Sequence, residues 1–251
     1  RVLNDEAMLP LITMYEQKME LIAAAGIDVC VCIPFTRAFA AVSAADFLKN
    51  ELVARIGMQT IVIGKDYAFG KNRAGDIDFL RQRATRLGFK VVCLHEVAVV
   101  GKTRVSSTII RETVQNGDMA MAAKLLGRYY QIRGEVVTGR GRGGKLLGFP
   151  TANIELADEL CPLSGVYAVT VGYDSGWYQG VANIGYSPTF DDHLFTVEVY
   201  ILDFNKNING NRLKVNFIER IRAEKRFSGI DELKAQIAKD VDAARKLLSE
   251  K

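Results

Sequence analysis

The chain has 251 residues, 49% of them hydrophobic and 25% charged, which suits one or two cored domains and excludes a disordered, collagen-like or coiled-coil chain. Lys and Arg exceed Asp and Glu by 33 to 29, a net +4 that accommodates anionic small ligands but is too small to make a polyanion-binding surface. No run of about 18 apolar residues is present to span a membrane, Arg1–Glu6 carries no apolar signal core, and four cysteines without metal-ligand spacing point to reduced thiols in a cytoplasmic setting.

The first 120 or so residues alternate helix and strand signals. Met14–Ala25 reads as an amphipathic helix ending at Gly26, and the apolar run Ile27–Ile33 before Pro34 as a buried strand, with Cys30 and Cys32 on one inward face. Ser43 opens a helix to Gly57, with Asp46 standing in for the usual Glu or Gln of a capping box. Thr60–Ile63 is a β-branched strand, Asp78–Leu87 a helix stopped by Gly88, and Lys90–Leu94 a further strand. Short apolar strands alternating with helices predict a parallel sheet, with ligands bound beyond the strands' carboxyl ends.

Beyond about residue 128 the pattern changes. Segments near 130–138, 165–173, 177–184, 195–204 and 212–218 are short and rich in Val, Ile, Tyr and Phe. Asp174-Ser175-Gly176, Ser187-Pro188 and Asn209-Gly210 punctuate them, so an antiparallel sandwich or barrel is expected. Asp231–Ser249 closes the chain as one amphipathic helix, with Leu233, Ile237, Val241 and Leu248 near helical spacing. The two classes predict an α/β domain over 1–124 and a β domain over 125–251.

Four segments carry candidate chemistry. In Gly139-Arg140-Gly141-Arg142-Gly143-Gly144-Lys145 the glycines let backbone N–H groups converge on a phosphate, and the cations add charge-assisted contacts. Gly139, Arg140, Gly141, Gly143 and Lys145 are therefore phosphate candidates, although the same loop also reads as an arginine–glycine RNA contact. No aromatic precedes Phe149 in it, which disfavours RNA, and no nucleic-acid partner is expected. Pro150 then fixes the chain, and Thr151 and Asn153 face the same way on extended backbone, an oxygen pair suited to Mg²⁺ and phosphate.

Further on, Glu198 lies within a β-branched strand and shares its face with Thr196 and Tyr200, opposite Val197, Val199 and Ile201. It is a surface charge if that face meets solvent and a general-base candidate if the face lines a cleft. Ser106-Ser107-Thr108 with Arg111 reads as a helix N-cap and also as an anion site. Gly64–Asp76, directly after a strand, is placed for a ligand loop and is otherwise a Gly-rich turn.

Taken together, Leu147-Gly148-Phe149-Pro150-Thr151-Ala152-Asn153, Gly180–Gly185 with Pro188-Thr189-Phe190, Glu198 with Asp203-Phe204, Ile221–Phe227 and Ser106–Arg111 resemble the bacterial bifunctional riboflavin kinase/FMN adenylyltransferases, from about Leu11 to the C-terminus. The resemblance implies a Rossmann-like nucleotidyltransferase domain followed by a six-stranded riboflavin kinase barrel with a C-terminal helix. It also implies Mg²⁺-dependent phosphorylation of riboflavin to FMN by ATP, then adenylylation of FMN to FAD. Its partners are these small molecules; the sequence says nothing of the oligomer. On matching positions Thr151 and Asn153 hold Mg²⁺ and phosphate, the glycine-rich loop covers the nucleotide, Glu198 is the base, and Arg222 contacts flavin or phosphate. Asp66, Phe69, Ser107, Thr108 and Arg111 serve the adenylyltransferase. The family's His-x-Gly-His pattern has no counterpart, since Glu96 follows His95 and Leu194 follows His193. The transferase half is thus expected to be incomplete, lacking its first strand. Smaller departures are Ser187, where the family often has Arg, and Tyr200, where it often has His. A narrower alternative is a riboflavin kinase with a non-catalytic N-terminal remnant.

Overall fold

The structure is a computed structural model that describes residues 9–95, 98–137, 148–186 and 195–249, with backbone alone at Tyr186 and Phe195. The chain divides into two compact units, one formed by Gly26–Ala98 with Arg1–Leu9 and one by Pro10–Ala25 with Val99–Lys251. The sequence boundary at 124/125 follows the change of class. Packing divides the chain differently, because the helices Tyr15–Ala24, Ser107–Gln115 and Met119–Leu126 all group with the β region.

In the first unit β1 (Thr60–Gly64) pairs in parallel with β2 (Lys90–Leu94), in register from Thr60 opposite Lys90 to Gly64 opposite Leu94. The helix Ile77–Leu87 connects them. The Asp76 carboxylate accepts from the Phe79 N–H at 2.8 Å at its start, and Gly88, at φ 73°, ends it in the left-handed conformation that a Cβ disfavours. Leu48, Ile63, Phe69, Leu80 and Phe89 form the core. Ser43 caps as expected, accepting from the Asp46 N–H at 3.0 Å and donating to the Asp46 carboxylate at 2.6 Å. The helix it opens changes from α (Ala44–Asp46) to π (Phe47–Arg55).

The Ile27–Ile33 expectation fails. That segment forms no strand, and Ile27, Val29, Val31 and Ile33 are 44–76% exposed. An apolar run becomes a strand only where a neighbour accepts its ladder, and among the described residues β1 and β2 pair only with each other in their sheet. Cys30 and Cys32 do share a side, with sulfurs 3.8 Å apart, but that side is exposed rather than buried.

The second unit is a closed six-stranded barrel. After the short pair β3 (Val99–Val100) and β4 (Thr103–Arg104) come β5 (Tyr130–Val137), β6 (Ala152–Glu155), β7 (Gly165–Tyr173), β8 (Gly176–Tyr186), β9 (Phe195–Ile201) and β10 (Arg212–Arg222). The barrel runs β10-β5-β6-β9-β8-β7, every neighbour antiparallel. Period-two alternation fills its interior with Tyr130, Ile132, Tyr167, Val169, Val199, Leu213 and Phe217, all fully buried. The Tyr130 and Tyr167 hydroxyls donate to the carbonyls of Leu160 and Leu163. Outside, the helix Ile230–Ser249 lays Val241, Ala244 and Leu248 on Val166, Ala168 and Val181. The helix Tyr15–Ala24 is held to the barrel mainly by charge: Glu16 pairs with Arg212 at 2.8 Å, and Glu20 with Arg133 at 2.5 Å and Lys214 at 3.3 Å. The hydrogen bond from Arg133 foremost holds the Glu20 carboxyl down to about 2.

Candidate active site

Register aligns three polar residues across neighbouring strands. Asn153 of β6 lies opposite Glu198 of β9, and Glu198 opposite Asn183 of β8. The residues on either side, Ala152, Val199 and Ala182 in one row and Ile154, Val197 and Ile184 in the other, are buried. Alternation therefore turns Asn153, Glu198 and Asn183 to the outer face. The sequence left open whether Glu198 faces bulk solvent or a cleft; it lines a cavity of about 270 Å³ between the barrel and the C-terminal helix. Burial pushes its carboxyl up, because desolvation disfavours the charged form. Phe149 and Tyr200 meet edge to face at 5.3 Å on one wall, and Phe227, Leu233 and Ile237 also line the cavity. Its polar lining includes Glu198 with Asn183, Arg222, Glu224, Lys225 and Asp240.

A second cavity, of about 180 Å³, is lined by Pro150, Phe204, Asn205, Lys206, Asn207 and Asn209 among others. Thr151 lines both cavities. The first is lined by aromatic rings and by the carboxylates of Glu198, Glu224 and Asp240; the second combines apolar side chains such as Val199 and Ile201 with amides and a lysine. Asn153 lines neither cavity, but its carboxamide and that of Asn183 flank Glu198 on the neighbouring strands, and the Thr151 side chain belongs to both cavity linings. These are hard donors that suit Mg²⁺, which is commonly held by one or two protein oxygens plus phosphate and water.

The remaining sequence candidates fall elsewhere. Gly139, Arg140, Gly141, Gly143 and Lys145 lie outside the described residues, as do Ser187 and His193. In the first unit Asp66 sits in the turn after β1, and its carbonyl accepts from Arg73 at 3.4 Å. Phe69 is core, stacked on Tyr67 at 5.7 Å and edge-on to Phe79 at 5.9 Å. In the second unit Ser106, not Ser107, caps its helix, accepting from the Ile109 N–H at 3.3 Å. Ser107 and Thr108 are exposed in the first turn, and Arg111 donates to the Pro10 carbonyl at 3.1 Å. Sequence reasoning passed over Asn183, Phe149 and Phe227 as site residues. Asn183 was findable, since it falls between the buried Ala182 and Ile184 of an alternating strand.

A larger cavity, of about 580 Å³, lies against Gln17, Glu20, Gln131, Arg133 and Asn216, away from Glu198. Its floor is satisfied internally. Gln131 donates to Asn216 at 2.7 Å, Arg133 donates to Gln131 at 2.7 Å, and Glu20 takes up the Arg133 charge. Size alone therefore does not single it out.

The second unit is thus a closed antiparallel barrel with two cavities, one lined by aromatic rings and by the carboxylates of Glu198, Glu224 and Asp240, the other by apolar side chains with amides and a lysine, and the first unit carries a parallel strand pair with its connecting helix. The riboflavin kinase family model matches residues 126–248, and the FAD synthetase model residues 1–109. The bifunctional riboflavin kinase/FMN adenylyltransferase of Haemophilus influenzae is 39% identical over 91% of this chain and 74% of its own length. That of Escherichia coli K12 is 37% identical over 93% and 74%. The crystal structure of a macrolide-efflux protein from Streptococcus pneumoniae superposes with a TM-score of 0.83 at 31% identity, covering 93% of this chain and 75% of that one. Among the described residues no helix is long and apolar enough to cross a membrane. The chain belongs to the bifunctional riboflavin kinase/FMN adenylyltransferase family.

Proposed function

We propose that the barrel transfers the γ-phosphoryl group of ATP to riboflavin, forming FMN, and that the α/β part belongs to the adenylyl transfer that turns FMN and a second ATP into FAD and pyrophosphate. The observation that carries the kinase reading is that Thr151 lines both the aromatic cavity holding Glu198 and the second cavity beside Lys206. The isoalloxazine ring occupies the first against Phe149 and Phe227, and the nucleotide occupies the second. Glu198 takes the proton of the riboflavin 5′-hydroxyl as that oxygen attacks the γ-phosphorus and ADP leaves. Phosphoryl transfer asks mostly for positioning and charge neutralisation, so one base and a few oxygen donors suffice. Thr151 and Asn153 hold Mg²⁺, which neutralises phosphate charge when bound. Gly139, Arg140, Gly141, Gly143 and Lys145 cover the phosphates, a role that rests on sequence. Asp66, Phe69, Ser107, Thr108 and Arg111 are assigned to the adenylyltransferase on the same basis. The setting is cytoplasmic, with ATP at hand.

Incubation with riboflavin, ATP and Mg²⁺, with flavins resolved by chromatography, tests this reading. FMN is the expected first product, and no FMN overturns it. Thr151→Ala is expected to raise the Mg²⁺ concentration for half-maximal rate by about tenfold, the order of one lost contact to a charged group; an unaltered Mg²⁺ titration counts against the metal assignment.

The pH profile follows from the direction of the Glu198 shift. The base works ionised, and burial raises the pH at which it takes up a proton on acidification. The rate of FMN formation should therefore fall on the acid side at a pH above the ordinary carboxylate value near 4.5. A profile flat down to that value would detach the limb from Glu198.

A further inference from the structure

Arg222 reaches the flavin cavity with its orientation already fixed. Its Nε donates to both Asp240 oxygens at 2.9 and 3.1 Å, its Nη2 to Asp240 Oδ2 at 2.7 Å, and its Nη1 to the Ala223 carbonyl at 2.9 Å. Asp240 comes from the C-terminal helix, where Gln236 one turn earlier donates to its Oδ1 at 2.9 Å. The Asp240 side chain is only 4% exposed and that of Arg222 22%. Both line the cavity that holds Glu198. A carboxylate buried on the apolar stripe of a helix is costly unless it is paired and fully hydrogen-bonded, and here it is both. The fork of a guanidinium has five N–H donors in one plane, so a side-on carboxylate fixes that plane. Asp240 and Ala223 engage three of them, one each on Nε, Nη1 and Nη2, which leaves one on each terminal nitrogen for a ligand. The Arg222 guanidinium also stands 5.8 Å from the Phe227 ring on the wall of the same cavity.

We propose that Asp240, braced by Gln236, is a positioning residue of the kinase. It holds Arg222 so that the two remaining N–H groups meet the carbonyl acceptors of the flavin's pyrimidine ring while Phe227 packs on the ring system. This rests on reading the Glu198 cavity as the flavin side. Asp240 touches no reacting atom; it acts on riboflavin affinity and alignment through Arg222.

The test is Asp240→Asn, an isostere that keeps one acceptor and removes the charge, with riboflavin binding read by flavin fluorescence and steady-state rates read for FMN formation. The riboflavin Kd and KM are expected to rise about tenfold or more, with the KM for MgATP unchanged and kcat within about threefold. In an Arg222→Gln background the same change should add nothing, because the interaction partner is already gone. Gln236→Ala, which leaves the ion pair in place, should give a rise of about two- to threefold and serves if Asp240→Asn does not fold. Unchanged riboflavin affinity in both variants, or an equal effect of Asp240→Asn with and without Arg222, assigns Asp240 a structural role and overturns the proposal. Failure of the unmodified protein to bind riboflavin overturns the underlying reading instead.

Discussion

Glu198→Gln is expected to lower the rate of FMN formation by about 10²–10⁴-fold, the usual contribution of a positioned general base, while leaving MgATP affinity unchanged. Gln has the size and shape of Glu, so it keeps the packing and the polar row with Asn153 and Asn183 but cannot take up the hydroxyl proton. In the proposed arrangement MgATP binds beside Thr151 and in the cavity around Lys206, which Glu198 does not line, and that separates the two readouts. Stability gives an independent control. The Glu198 carboxyl titrates higher in the fold than in an unfolded chain because burial disfavours its charge. Its ionisation at neutral pH therefore costs stability, and a neutral amide should leave Tm unchanged or raise it. A dead variant with an intact Tm and intact MgATP binding assigns the base to Glu198. Turnover within threefold of the unmodified protein would remove Glu198 from the mechanism.

The barrel was legible because each of its longer strands buries one face, and a half-buried strand leaves a period of two in its residues. In Thr196–Ile201 that period put Val197, Val199 and Ile201 inside and Glu198 outside, as the structure has them. β6 is harder to read as a strand, being only the four residues Ala152–Glu155. Periodicity says nothing about what covers the outer face. Whether Glu198 met solvent or a cleft depended on where the C-terminal helix lies, and no local pattern encodes that. The helix itself was legible, yet Asp240 was not, since a carboxylate on an apolar stripe is explained only by Arg222 eighteen positions earlier in the chain. Ile27–Ile33 shows the opposite error: its composition is that of a buried strand, but burial belongs to a partner and not to the run. In the helix after Ser43 the cap was readable because it is a local hydrogen bond, whereas its change to π-helix was not, because hydrophobic spacing is too coarse to separate the two ladders.

Gly134→Ala should destabilise the barrel by roughly 3 kcal/mol, at the upper end for an overpacking change, and lower Tm by about 6–12 °C. The cause is space and not conformation, since Gly134 is not among the glycines with positive φ. It lies on β5, and a Cβ built there falls 2.2 Å from the Glu155 carbonyl oxygen and 2.4 Å from Ile154 Cγ2. The first obstacle is backbone, which cannot rotate away, so β6 has to shift against β5 where Val136 pairs with Ile154 and Val137 with Asn153. Asn153 moves with it, so the proposed metal and phosphate donors move relative to Glu198 on β9. The variant should thus lose kinase efficiency well below its melting temperature, with the Mg²⁺ requirement raised as in Thr151→Ala. Gly64→Ala is the contrast: no atom lies within 4 Å of its added methyl, and no positive φ is imposed, so its effect should stay within about 0.5 kcal/mol. Thermal unfolding followed by circular dichroism, with Mg²⁺ titrations at a temperature where both variants are folded, checks both parts. A Gly134→Ala protein with unchanged Tm would mean that β5 and β6 are not packed this closely. A lowered Tm with an unchanged Mg²⁺ titration would mean that β6 does not carry the metal donors.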